Sequence, residues 1–138
     1  MGYEMAQDNN VDWEMLVAAA IKARELAYAP YSNFLVGAAL LTADGTVFSG
    51  CNVENASYGL SLCAERTAIV SSVAAGNRDF VAIAVAATPL ATPCGACRQF
   101  IAEFGLAIQV ASVDVANPAQ VSKWAIAELL PESFRLKQ

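Results

Sequence analysis

The sequence predicts an α/β fold, a three-layer α/β/α sandwich built on a mixed five-stranded sheet. Three observations lead there. Helical and extended signals run in the order α-β-β-α-β-α-β-β, which calls for one mixed sheet with helices packed on its faces. The 138-residue chain is 57% hydrophobic, ample for one well-buried core. One extended run, Phe80 to Ala87, is apolar throughout, as expected of a strand covered on both faces.

From Asp12 to Ala29, apolar residues at Trp13, Leu16, Val17, Ala20 and Ile21 recur at helical spacing, with Asp12 as N-cap and Pro30 as stop. Phe34–Leu41 and Thr46–Val53 read as a hairpin turning at Asp44-Gly45. A second helix is expected over Cys63–Ala75, halted by Gly76-Asn77, and a third over Cys94–Phe104, closed by Gly105. A strand over Ala107–Val113, a turn through Asn117-Pro118, a strand over Val121–Ile126 and a helical turn before Pro131 complete the chain. Residues 12–138 read as a single domain and 1–11 as a flexible N-terminal segment.

Charge narrows the partners. Eight basic against thirteen acidic residues give a net charge of −5, without the basic stripe that a nucleic acid polymer requires. Charged residues make up only 15% of the chain, so apolar surface is expected to be covered by subunit contacts. Met1–Val11 lacks the pattern of a signal peptide, and the longest strongly apolar run is far shorter than the ~20 residues of a membrane span. A cytoplasmic protein is the expectation. In that reducing setting the four cysteines read as ligands or thiols rather than disulfides.

Two short motifs carry the chemistry: Cys63-Ala64-Glu65, and Pro93-Cys94-Gly95-Ala96-Cys97. Each cysteine motif opens a predicted helix, where free backbone N–H groups and the helix dipole favour a thiolate. If the two helix starts converge, Cys63, Cys94 and Cys97 supply three ligands to Zn²⁺ and leave the fourth tetrahedral position open, as in catalytic sites. The chain contains no histidine, so neither a Cys/His zinc site nor a histidine-based triad is available within it. Glu65 then stands beside the metal as a proton shuttle for a water that zinc activates towards an electrophilic carbon. Three thiolates exceed the charge of Zn²⁺ by one, and Arg66 is placed to offset that surplus by bonding ligand sulfur.

The pattern Cys63-x-Glu65…Pro93-Cys94-x-x-Cys97 resembles the signature of zinc nucleobase deaminases. The segments Tyr28-Ala29-Pro30-Tyr31-Ser32, Phe34–Leu40, Gly50–Ala56, Cys63–Ala68, Pro93–Gln99 and Glu128–Pro131 extend it to the small homotetrameric cytidine deaminases, over nearly the whole chain after residue 13. The resemblance implies hydrolysis of cytidine and deoxycytidine to uridine and deoxyuridine, with one Zn²⁺ per chain and water as co-substrate. It also implies ribose contacts from Asn52 and Glu54, base packing by Phe34, and the backbone at Ala64 against the base carbonyl. Tyr58 and Phe134 are implied to enter a neighbour's active site.

Independently of resemblance, the i, i+2 spacing of Asn52 and Glu54 puts an amide and a carboxylate on one face of an extended segment. Two alternatives stand beside this reading. A closed four-thiolate site with Cys51 as fourth ligand would make the chain a structural zinc module, although Cys51 also reads as a buried thiol inside a strand. A deaminase of another aminopyrimidine nucleoside is the other. Arg98 reads as a helix-surface residue in an ion pair.

Overall fold

A computed structural model describes residues 11–136. The helices are α1 (Trp13–Arg24), α2 (Ala64–Ala74), α3 (Gly95–Ala102) and α4 (Ile126–Leu129). The strands are β1 (Gly37–Thr42), β2 (Val47–Cys51), β3 (Phe80–Ala87), β4 (Gln109–Asp114) and β5 (Asn117–Ala125), with a 3₁₀ turn at Tyr58–Leu60. The sheet runs β2-β1-β3-β4-β5. Only β3 and β4 are parallel, joined through α3, and the other neighbours are antiparallel.

Alternation along the strands sorts the core into two layers. On one face Ala39 and Leu41 of β1 and Ala82, Ala84 and Ala86 of β3 pack under Leu16, Val17 and Ala20 of α1. On the other, Ala38, Leu40, Ile83 and Val110 meet Ala64, Ala68 and Ile69 of α2, Ile101 of α3 and Ile126 of α4. Among the described residues the sandwich is therefore one helix, a five-stranded sheet and three helices, the three-layer arrangement that the sequence predicts.

Two glycines let the helices lie directly on the sheet. A Cβ at Gly37 would stand 2.1 Å from the carbonyl oxygen of Ala20, and one at Gly50 would stand 2.4 Å from the backbone nitrogen of Ala68. Those separations are inside van der Waals contact, so each helix backbone rests where a side chain would otherwise be. Gly50 thereby sets the seating of α2, whose first turn carries Cys63 and Glu65.

The structure corrects several boundaries. Asp12 caps α1 by accepting from Met15 N at 3.1 Å, as expected, but the helix stops at Arg24 instead of running to Ala29. Tyr28 is drawn into an extended bridge with Val53, donating from its N–H to Asn52 O at 3.0 Å and accepting from Glu54 N at 2.8 Å. The first strand starts at Gly37, not Phe34, because Ser32 and Asn52 side chains take the backbone bonds of residues 34–36. The last turn falls at Val115-Ala116, and Asn117-Pro118 belongs to β5. Proline is tolerated there because β5 is an edge strand with a backbone side that pairs with nothing in the sheet. The expectation for residues 1–10 lies outside the described residues.

Candidate active site

Cys63 and Cys94 occupy equivalent positions, each the N-cap of its helix with extended backbone, at ψ 155° and 169°. Neither side chain caps its own helix, which leaves both sulfurs free to point across the gap between the two N-termini. Cys97, one turn into α3, is fully buried. The three Sγ atoms lie within 4.8 Å of one another, and those of Cys63 and Cys94 are 3.8 Å apart. Thiolates held tetrahedrally at a Zn–S distance of ~2.3 Å stand about 3.8 Å from each other. The donor set and its spacing fit zinc. Cys51 stands outside this group, half-buried at the end of β2 rather than fully buried, so a closed four-thiolate site is not built here.

Electrostatics agree with a cation site. Three thiols this close cannot all ionise unaided. The Cys97 thiol bonds to the Cys63 sulfur and, with Arg66, lowers Cys63 to about 5 against the opposing effect of burial. The proton it shares with Cys63, its burial and the nearby Glu65 carboxylate drive Cys97 strongly up. A divalent cation between the sulfurs removes this conflict by stabilising every thiolate at once. Arg66 Nη2 donates to Cys63 Sγ at 3.3 Å, while its buried Nε has no partner among the described residues. A guanidinium with a spare donor beside the sulfurs is suited to a more anionic cluster.

Glu65 is only 4% exposed. Desolvation raises its carboxyl to about 7, the Cys63 charge adds to that, and Arg66 opposes it. A carboxyl in that range exchanges protons readily at neutral pH. Ala64, fully buried, is the first residue of α2, so its backbone N–H has no intrahelical acceptor.

Cys63, Ala64, Glu65, Arg66 and Cys94 line a cavity of about 430 Å³, together with Phe34, Val36, Asn52, Glu54, Tyr58, Val85 and Thr92. That volume suits a small molecule. Asn52 and Glu54 lie just past β2, yet the extended backbone at Val53 keeps them on one side, as their spacing suggests. Asn52 also holds the approach to β1, donating from Nδ2 to Phe34 O at 2.8 Å and accepting from Val36 N at 2.9 Å. Glu54 accepts from Tyr31 N at 2.9 Å, from Ser32 N at 3.1 Å and from the Ser32 hydroxyl, and that hydroxyl bond most of all holds its carboxyl below the usual range. Ser32 Oγ in turn accepts from Phe34 N at 3.0 Å, so Phe34 is fixed at both backbone groups by side chains.

Tyr58, on the 3₁₀ turn, lines the cavity of its own chain, is 77% exposed and meets Tyr31 edge-on at 6.3 Å. Phe134 is not among the lining residues and is 69% exposed on the C-terminal segment, which Gln99 Nε2 anchors through Phe134 O at 2.9 Å. Arg98 makes no ion pair among the described residues. Its guanidinium instead donates to Pro93 O, Leu129 O and Thr92 Oγ1 at 2.8, 2.9 and 3.3 Å. Sequence spacing gives no signal for that arrangement, nor for the Ser32 bridge, because both depend on chain segments brought together only by the fold.

Residues 11–113 match the family described as the cytidine and deoxycytidylate deaminase zinc-binding region. A cytidine deaminase of Halalkalibacterium halodurans is 50% identical over 127 residues, covering 90% of this chain and 95% of that protein. The crystal structure of a cytidine deaminase from Burkholderia pseudomallei superposes with a TM-score of 0.85 at 51% identity, covering 90% of this chain and all of that one. The cytidine deaminase of Mycobacterium tuberculosis superposes at 0.80 with 40% identity, over 92% of this chain. The chain belongs to the zinc-dependent cytidine deaminase family.

Proposed function

We propose that the protein hydrolyses cytidine and deoxycytidine to uridine and deoxyuridine with release of ammonia, in the cytoplasm and in the salvage of pyrimidine nucleosides. The observation that carries this reading is the three-sulfur group, of which Cys63 and Cys94 line, beside a buried carboxyl, a cavity that also holds Phe34, Asn52 and Glu54.

Cys63, Cys94 and Cys97 hold the zinc, which supplies Lewis-acid activation of a water when bound. Glu65 performs the proton transfers. Its carboxylate takes a proton from the attacking water as the oxygen bonds to the ring carbon that bears the amine. It passes that proton to the ring nitrogen, then carries the remaining hydroxyl proton to the amine, which leaves as ammonia. Phe34 packs on the pyrimidine, the Ala64 N–H donates to the base carbonyl, and Asn52 with Glu54 binds the ribose 3′-hydroxyl. Arg66 balances the surplus thiolate charge.

The cavity favours nucleosides over nucleotides. Its charged lining residues are Glu54, Glu65 and Arg66, and Arg66 is engaged with Cys63 Sγ. A phosphate would meet carboxylates with no free cation among these lining residues. A nucleic acid polymer fits no better, and no helix among the described residues is long and apolar enough to cross a membrane.

The assembly is a homotetramer in which Tyr58 and Phe134 enter a neighbour's site. Exposed apolar side chains at Tyr28, Tyr31, Val53, Tyr58, Leu60, Leu62, Phe134 and Leu136 support it. Glu65→Gln tests the mechanism directly. The amide cannot move protons while the ligands are untouched, so zinc content and fold persist and turnover falls roughly a hundredfold to ten-thousandfold. Near-normal kcat at full zinc content would remove Glu65 from the reaction.

A further inference from the structure

Arg98 leaves α3 immediately after Cys97, and its guanidinium folds back past the start of the helix to reach three separate groups. Nε donates to Pro93 O at 2.8 Å, Nη2 to Thr92 Oγ1 at 3.3 Å, and Nη1 to Leu129 O at 2.9 Å. The helix itself does not favour a cation at this end, where its dipole is positive. What holds the guanidinium are acceptors that need it. Pro93 is fully buried and has no N–H, so its carbonyl is its one backbone polar group. Leu129 ends α4, where carbonyls lack intrahelical partners. Cys94, next to Pro93, is exposed and its side chain makes no capping bond, so the loop backbone determines where its sulfur stands.

We propose that Arg98 is a positioning residue for the metal site, locking Thr92 and Pro93 to α4 so that Cys94 presents its sulfur to those of Cys63 and Cys97. The inference rests on the reading of these cysteines as zinc ligands. Arg98 is not among the residues lining the cavity or in the three-sulfur group, and it acts through the loop. A planar fork spanning three acceptors is beyond the reach of one ammonium, which distinguishes arginine from lysine here.

The test follows zinc release from the loaded full-length protein mixed with excess chromogenic chelator, comparing the parent with Arg98→Leu, Arg98→Lys and Gln99→Leu. Gln99 ties the same helix to the C-terminal segment through Phe134 O, and among the described residues its side chain makes no hydrogen bond to the loop at 92–94, so its loss reports general loosening of α3. Release from Arg98→Leu is expected to be roughly tenfold to a hundredfold faster, the scale of losing charge-assisted hydrogen bonds to buried acceptors. Arg98→Lys should fall between it and the parent, and Gln99→Leu should match the parent. Parent-like release from a folded Arg98→Leu protein overturns the proposal, as does equally fast release from Gln99→Leu. Should Arg98→Leu fail to fold, parent-like release from Arg98→Lys overturns it just as well. A parent that binds no zinc would overturn the ligand reading itself, a result distinct from these.

Discussion

At the scale of single residues, position in the first helical turn explains how Cys63, Glu65 and Arg66 act together. Cys63 as N-cap faces outward to the other sulfurs, Glu65 turns into the protein, and Arg66 returns to the Cys63 sulfur at 3.3 Å. Arg66 stabilises negative charge on both the sulfur and the Glu65 carboxylate. Its removal therefore raises the Glu65 carboxyl above its present position at about 7. Less of Glu65 is then ionised at neutral pH, and the acidic limb of the pH–rate profile moves upward. Arg66→Gln is expected to keep zinc and lose roughly tenfold to a hundredfold in kcat, from one charge-assisted bond to a partly buried sulfur. Steady-state rates across pH on metal-analysed protein check this, and an unshifted acidic limb with unchanged kcat would return Arg66 to a surface role.

Residue identity was legible where chemistry is local. Both cysteine motifs, the carboxyl between them and the absence of histidine are visible in sequence, and the fold brings the sulfurs together as helix N-termini converging predict. Arg98 was not legible. Its spacing from Cys97 says only that it follows a ligand, whereas its partners lie five and six residues back and thirty-one residues ahead in the chain.

At the scale of elements, the site depends on how closely α2 rests on β2. A Cβ at Gly50 would come within 2.4 Å of Ala68 N and 2.7 Å of Ala64 O, both backbone atoms that can yield only by moving the helix. Gly50→Ala is thus expected to destabilise by about 1–3 kcal/mol, the usual scale of overpacking a tight core. Because the strain falls on the turn bearing Cys63 and Glu65, zinc content should drop with it. Calorimetry and metal analysis read the two effects. A variant with the parent's thermal midpoint and zinc content would show that α2 is not held by this contact.

Helix and strand identities followed from hydrophobic period, while several boundaries did not. The shortening of α1 at Arg24 and the late start of β1 at Gly37 share one cause. The segments between them are claimed by residues 52–54 and Ser32: the backbone of Asn52 and Glu54 pairs with Tyr28, and the side chains of Asn52, Glu54 and Ser32 take over backbone bonds between residues 31 and 36. Such contacts are non-local and leave no period to read. The turn before β5 was misplaced because Pro118 looks like a turn residue unless the strand is known to be an edge.

At the scale of the whole molecule, the low charged fraction of 15% and the exposed aromatic rim around Tyr28, Tyr31 and Tyr58 point the same way. Light scattering should give about four times the 14.5 kDa mass of one chain. A fully active species of single-chain mass would remove the neighbour from the site and leave Tyr58 serving its own cavity alone. The three-layer architecture was predictable from element order. The assembly rests on surface that composition describes only in aggregate.

The most direct measurement is the absorbance of cytidine incubated with the metal-analysed protein, before and after zinc is removed by chelation and then restored. One zinc per chain is expected, with conversion to uridine and an equal amount of ammonia, loss of turnover with the metal and recovery on its return. Undiminished conversion by the zinc-free protein, or none by protein holding one zinc per chain, would contradict it.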